Sequence, residues 1–273
     1  MKIKILLSFA IITLLFSCST NSTDIPETNT GSDNSPQTNY LPLALRNYWK
    51  YRVLTDAVSQ TDSLYVSNDT TMNTKIYKKF KTRNMPIGFF SNSLNKNAVR
   101  IEGSKVLLTG SLAFNFGVAL PINLSVNDYT IFQENASNNQ ILGSVSGTIN
   151  QTVQNYPLAI DYTLKSTSIE TLATYSSNGR VYTDVKKVKT VLNARITSTI
   201  TVSGIPFPVV LSILDPQDVV TSYQYYSKTI GMVYTNTVIN YRLNSLPNGI
   251  TLPLPSSGNQ TQEEFLQTYD VSH

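Results

Sequence analysis

The chain of 273 residues has one cysteine, Cys18, and one histidine, His273, its last residue. This scarcity excludes a disulfide-stapled scaffold. It also removes a Ser-His-Asp triad, a Cys-His pair and any histidine-based metal site. Charge is sparse: 14% of residues are Asp, Glu, Lys or Arg, against about 25% in an average chain. The net charge of +4 falls to +2 once Lys2 and Lys4 are set aside, too little for a protein that binds nucleic acid by neutralising phosphates. No Gly-rich phosphate loop opens a helical segment. Beyond the first 17 residues, no apolar run nears the roughly 18 that suggest a membrane-spanning helix.

What is present begins with a leader. Lys2 and Lys4 precede an apolar stretch, Ile5 to Phe16, the arrangement of a secretory signal and too short for an ordinary span of about 20 residues. The stretch ends in Leu15-Phe16-Ser17-Cys18, which resembles the lipobox of bacterial lipoproteins, although Phe16 is bulkier than the small residue usual there. The resemblance implies a signal peptide over 1–17 and lipidation at Cys18. Its thiol would receive diacylglycerol, and its new amine would be acylated after cleavage. Each buried methylene contributes about 0.8 kcal/mol, so several acyl chains on one residue hold a protein to a bilayer. Residues 18–39 are Ser, Thr, Asn, Asp, Pro and Gly with little apolar content, and such a segment reads as a disordered tether. Asp24, Glu27 and Asp33 in it, with no Lys or Arg, resemble surface-export signals of Bacteroidota lipoproteins.

From Tyr40 the hydrophobic period is 2. Trp49, Tyr51 and Val53 alternate with Lys50 and Arg52, and Val118, Leu120, Ile122, Leu124 and Val126 alternate with polar or turn-forming neighbours. Val188, Leu192, Ala194, Ile196, Ile200 and Val202 share one parity. Such alternation specifies strands with one buried and one wet face, which antiparallel sheets tolerate and parallel ones do not. Asn178-Gly179 predicts a tight hairpin. The expected fold is mainly β: a single antiparallel, strongly curved sheet over 40–246, half-barrel-like, with a closed β-barrel or a β-sandwich as alternatives. Residues 247–273 are expected to form an irregular tail. Thr261-x-x-Glu264 in it matches a capping box and predicts a short helix over 261–268.

Tyr40-Leu-Pro-Leu-Ala-Leu-Arg-Asn-Tyr-Trp-Lys-Tyr-Arg-Val53 resembles the opening strand "Y-x-P-L-x-x-G-N-x-W-x-Y" of uncharacterised Bacteroidota lipoproteins, with Arg46 in place of the Gly. Asp62–Val66 through Lys75–Tyr77 and Tyr225–Tyr234 resemble the same group. More distantly, the chain is similar to curved-sheet outer-membrane lipoprotein carriers and receptors. The resemblance implies a palmitate-bearing lipoprotein of the cell envelope, at the outer membrane, facing the periplasm or the outside.

The residues themselves assign no catalytic site, metal site or cofactor. The only expected site residue is Cys18. The ligand-binding residues and the oligomeric state are left open. The expected partner is the membrane, reached through the lipid anchor, and nucleic acid is not expected. The function read from these features is non-enzymatic, with an apolar or lipid-like ligand bound by the curved sheet. The alternatives are a cell-surface structural, adhesive or accessory lipoprotein, and a carboxylate-based hydrolase using Asp215 and Asp218, which otherwise read as turn residues. Asp62, Asp69, Asp128 and Asp161 read as strand-end residues. Lys75, Lys78, Lys79, Lys81 and Arg83 read as the wet face of an edge strand, or as a surface for an anionic partner.

Overall fold

A computed structural model describes residues 38–56, 58–115, 121–201, 206–247, 252 and 255–272. The signal segment 1–17, Cys18 and the tether up to residue 37 lie outside the described residues, as do Val118, Leu120 and Val202. The described residues all belong to one compact unit. Its strands are β1 (Tyr48–Thr55), β2 (Ser59–Met72), β3 (Lys75–Thr82), β4 (Ala98–Glu102), β5 (Lys105–Asn115), β6 (Pro121–Gln133), β7 (Ile141–Val153), β8 (Tyr156–Ser177), β9 (Arg180–Ile200), β10 (Val209–Ser227), β11 (Gly231–Arg242) and β12 (Ser257–Asp270). One short helix, α1 (Phe89–Leu94), interrupts them between β3 and β4.

All twelve strands join in one antiparallel sheet of order β6-β5-β4-β3-β2-β1-β12-β11-β10-β9-β8-β7. Every strand pairs with its sequence neighbour except across β6 and β7, while the first and last strands pair with each other. The result is a nearly closed barrel with one unsealed seam. Near that seam Ser166 Oγ on β8 donates to Thr130 O on β6 at 2.6 Å. The antiparallel curved sheet is as expected, and it curls further than a half-barrel.

The alternation predicted along the strands is the inside–outside pattern of this wall. Trp49, Tyr51 and Val53 are fully buried while Lys50 is exposed. Val188, Leu192, Ala194 and Ile196 are buried from β9. Two interior rings also find polar partners: Trp49 Nε1 donates to Ile230 O at 2.6 Å and Tyr51 Oη to Met232 O at 3.0 Å. Gly231, after Ile230, holds φ at 109°, and a Cβ there would lie 3.0 Å from Trp49 Nε1. A side chain is therefore excluded on both conformational and steric grounds. The predicted Asn178-Gly179 hairpin forms, with φ of 50° and 75°.

The opening motif also closes the chain on itself. Asn47 Nδ2 donates to Pro42 O at 3.2 Å and to Ser272 O at 2.9 Å, and its Oδ1 accepts from Ser272 N at 2.8 Å. Order reaches back past Tyr40: Thr38 is buried and its N–H donates to Gly103 O at 3.0 Å.

The end of the chain corrects the expectation of an irregular 247–273 tail with a helix at 261–268. Ser257–Asp270 is strand β12, held between β1 and β11. Glu264 and Leu266 are buried on one parity and Phe265 lies on the other, so period 2 prevailed over the capping-box signal. The basic segment is corrected too. β3 is not an edge strand but lies between β2 and β4, although only Lys78 and Lys79 pair with β4.

Candidate functional site

The chemistry-bearing interior lies where α1 meets the wall. Pro86 follows β3, and the chain then turns inward through Ile87 and Gly88 into Phe89–Leu94. A helix of 6 residues has no stability of its own. It is held by burial of Phe90 and Leu94 and by two acidic side chains from the wall. The Phe90 ring meets Tyr51 and Tyr226 edge-on, with centroids 6.1 and 6.0 Å away.

Asp62 on β2 and Glu264 on β12 supply the acceptors that α1 lacks. Asp62 Oδ2 accepts from Gly88 N at 2.7 Å, and both its oxygens accept from Ile87 N at 3.2 Å. Glu264 Oε1 accepts from Phe90 N at 2.5 Å, and its Oε2 accepts from Ser91 N at 3.3 Å and from Ser91 Oγ at 2.9 Å. Gln262 adds a pair of bonds, accepting from Phe89 N at 2.5 Å and donating to Ile87 O at 2.7 Å. The unpaired N–H groups of a helix start are thus satisfied from another part of the chain. Gly88 is needed for this approach, because a Cβ would overlap the Glu264 carboxylate.

Among the described residues no cation pairs with Asp62 or Glu264. Burial, reinforced by the Asp62 charge, pushes Glu264 up to about 7 despite the Phe90 and Ser91 donors. Burial also raises Asp62, against the pull of the Gly88 and Ile87 N–H groups. A carboxylic acid near neutrality is the kind of group that serves as a general acid. Here Glu264 is fully buried and its oxygens are occupied by α1. No substrate reaches it while α1 is seated, so the arrangement acts as a fastening for α1. Beneath the helix, Phe89, Phe90, Leu112, Phe114 and Tyr129 border a cavity of about 40 Å³.

A second acidic group is built differently. Asp128 sits at a bulge where β6 slips against β5, with φ at 48°. It accepts from Arg100 Nε at 2.9 Å, Arg100 Nη2 at 2.8 Å, Tyr77 Oη at 2.7 Å and Lys75 Nζ at 3.3 Å. The Arg100 bonds dominate and hold its carboxyl down at about 2.

The residues singled out in the sequence are scattered. Cys18 lies outside the described residues. Asp215 and Asp218 are on the outside of β10, within a run of register shifts instead of a turn. Asp215 accepts from Ser212 Oγ at 2.6 Å, and Asp218 from Asn193 Nδ2 at 2.9 Å. Asp62 and Asp128 are not strand-end turn residues but the two acidic sites above. Asp69 pairs with Lys78 at 2.7 Å, and Asp161 accepts from Thr148. The basic cluster divides: Lys75 and Lys78 are paired, while Lys79, Lys81 and Arg83 make no ion pair among the described residues. Glu264 was hidden by its capping-box context. Its inward parity with Leu266 was the signal that could have revealed it.

No protein-family profile matches the chain, and no curated protein does. Among solved structures it is similar to a protein described as a lipoprotein, from Parabacteroides distasonis ATCC 8503, solved as a crystal at 2.70 Å resolution. The two share 13% identity with a TM-score of 0.40, over 86% of this chain and 100% of that one.

Proposed function

We propose that the chain is a lipoprotein of the bacterial cell envelope, held at the outer membrane by acyl chains on Cys18, and that its β domain is a non-enzymatic binding module displayed on that anchor. The observation that carries this is the leader: Lys2 and Lys4, the apolar stretch to Phe16, and the chain's only cysteine directly after Ser17. The described fold suits display. The chain enters the barrel at Thr38, next to the β4–β5 turn, whereas α1 follows β3 at the other end of the strands. The ligand expected is an apolar or lipid-like one held by the curved sheet, and the second reading is adhesive or accessory work on the outer face. The test is fractionation with metabolic palmitate labelling of wild type and Cys18→Ser. Label is expected in the membrane fraction of wild type alone. Equal labelling of both proteins would remove Cys18 as the acceptor and the anchor with it.

A further inference from the structure

The outer surface of the barrel is unevenly covered. The β8–β9 hairpin folds back across the face of β10 to β12. Its Tyr175 stacks on Tyr225 with centroids 4.2 Å apart, and Asn178 at its tip accepts from Arg52 on β1 at 3.2 Å. The adjoining face of β1 and β2 carries a concavity of about 370 Å³ instead, within the size range of small-molecule sites. It is lined by Arg46, Tyr48, Lys50, Tyr65 and Arg83, with serines between. Lys50 on β1 is opposite Ser63, and Tyr48 is directly opposite Tyr65, which puts both tyrosines on the same face of the sheet. Arg83 joins from the end of β3, its N–H donating to Ser63 O at 3.2 Å.

Three features make this a recognition surface. Arg46, Lys50 and Arg83 make no ion pair among the described residues, and no acidic residue lines the concavity. The nearby acid, Asp270 opposite Tyr48 on β12, is outside the lining. Arg46 holds φ at 74°, a conformation that glycine adopts freely and that costs a residue with a side chain. The cations are also dispersed. Arg46 lies in the turn before β1 and Lys50 within β1, while Arg83 at the end of β3 lies beyond β2 from Lys50, two strand spacings or about 10 Å away. A single phosphate or carboxylate needs cations that converge. Dispersed cations with aromatic rings between them match a ligand whose charges repeat along a chain of flat-faced rings.

We propose that this concavity binds an acidic polysaccharide. Arg46, Lys50 and Arg83 pair with sulfate or carboxylate groups on successive sugars, and Tyr48 and Tyr65 receive the sugar faces. The choice of a polysaccharide over single-stranded nucleic acid, which also combines repeated charge with rings, rests on the envelope location proposed above.

The test is fluorescence anisotropy with detergent-solubilised full-chain protein. The probe is a fluorescein-labelled, heparin-derived sulfated tetrasaccharide, with its desulfated form, a ten-nucleotide oligothymidine and inorganic phosphate as comparators. Expected is saturable binding of the sulfated probe only, with Kd rising at least tenfold between 50 and 300 mM NaCl as screening sets in. Lys50→Gln and Arg83→Gln should each weaken it at least fivefold. Arg46→Gly should weaken it similarly while its melting temperature holds or rises, an outcome that loss of folding cannot mimic. Unchanged affinity in all three variants overturns the proposal, as does equal competition by inorganic phosphate. Tighter binding of oligothymidine, lost in the same variants, would assign the site to nucleic acid instead. The assay does not read acylation, so failure of the anchor in palmitate labelling and failure of this site are separate results.

Discussion

Asp128 and Glu264 are carboxylates set into the wall of the same sheet, and the fold treats their charge in opposite ways. Asp128 is a quarter exposed and meets a guanidinium, a phenol and an ammonium group. Its ionised form is favoured, and its pKa falls to about 2. Glu264 is fully buried and meets only backbone and hydroxyl donors beside a second acid, Asp62, and its pKa rises to about 7. Hydrogen-bond donors stabilise a carboxylate in both places. Only where a formal cation is added do they outweigh burial. One site is an electrostatic cross-tie between strands. The other exchanges electrostatic stability for the placement of a helix too short to hold itself.

The sharpest way to test this contrast is to remove the Glu264 carboxyl. Glu264→Ala leaves the Phe90 and Ser91 N–H groups and the Ser91 hydroxyl without acceptors. An unsatisfied buried donor costs about 1–3 kcal/mol and the terms are not additive, so a loss of about 3–5 kcal/mol is expected at pH 5. Glu264→Gln keeps a carbonyl acceptor and should lose about 1–2 kcal/mol there. Urea unfolding of both variants measures this. A loss under about 1 kcal/mol for the alanine variant would show that α1 is fastened by its apolar contacts instead.

The two sites should also bend the pH–stability curve in opposite directions. Glu264 has a folded pKa above its unfolded value of 4.5, so the folded state holds the proton longer. Its contribution is full below about pH 4.5 and is lost as pH rises through 7, a fall of about 3 kcal/mol, with Asp62 acting in the same sense. Asp128 has a folded pKa below its unfolded 3.8. Its contribution is present above pH 4 and is lost as pH falls towards 2, about 1–2 kcal/mol after allowance for solvent screening. Stability should therefore peak near pH 4, between the two unfolded values. Glu264→Gln should flatten the alkaline limb and Asp128→Asn the acid limb. A curve unchanged in either variant would refute that half of the assignment.

Arg100→Ala comes next in size. It removes both nitrogens that grip Asp128 and the Arg100–Glu102 pair at 2.6 Å. Breaking a fully buried pair costs about 3–5 kcal/mol. With Asp128 partly open to water, about 2–3 kcal/mol is expected from chemical denaturation, and the Asp128 carboxyl should return towards the ordinary range in an NMR titration.

Much of this architecture was legible as period 2. The parity of Trp49, Tyr51 and Val53, and of Val188 through Ile196, is the parity of the barrel interior. Turn chemistry at Asn178-Gly179 was equally plain. What the pattern could not show was closure, because pairing of β1 with β12 joins segments more than 200 residues apart. Nor could it place Glu264. Thr261-x-x-Glu264 has the letters of a helix start, and Glu264 does accept from a helix N-terminus, but the helix is α1, far back in the chain. Local rules name the chemistry a residue prefers, and tertiary pairing decides which backbone supplies it. The acidic pair Asp215 and Asp218 shows the converse, since sequence proximity placed both on an exposed, bulged stretch of β10 with separate partners.

The smallest effect is expected at the rim of the ion-paired site. Lys75 Nζ approaches Asp128 Oδ2 at 3.3 Å, and its side chain is 49% exposed. Exposed pairs of this kind contribute about 0.2–1 kcal/mol at most, because water screens them and the long side chain must be ordered. Asp128 also keeps three other bonds from Arg100 and Tyr77 when Lys75 is absent. Lys75→Ala should therefore cost under about 0.5 kcal/mol in low salt, and nothing measurable in 0.5 M NaCl, where charges are screened over a few ångströms. A loss above about 1 kcal/mol that persists in high salt would mean that the rim cation shares the role given to Arg100. The cross-tie would then be a distributed network, and the contrast with the uncharged donors around Glu264 would rest on the number of cations and not on the buried guanidinium.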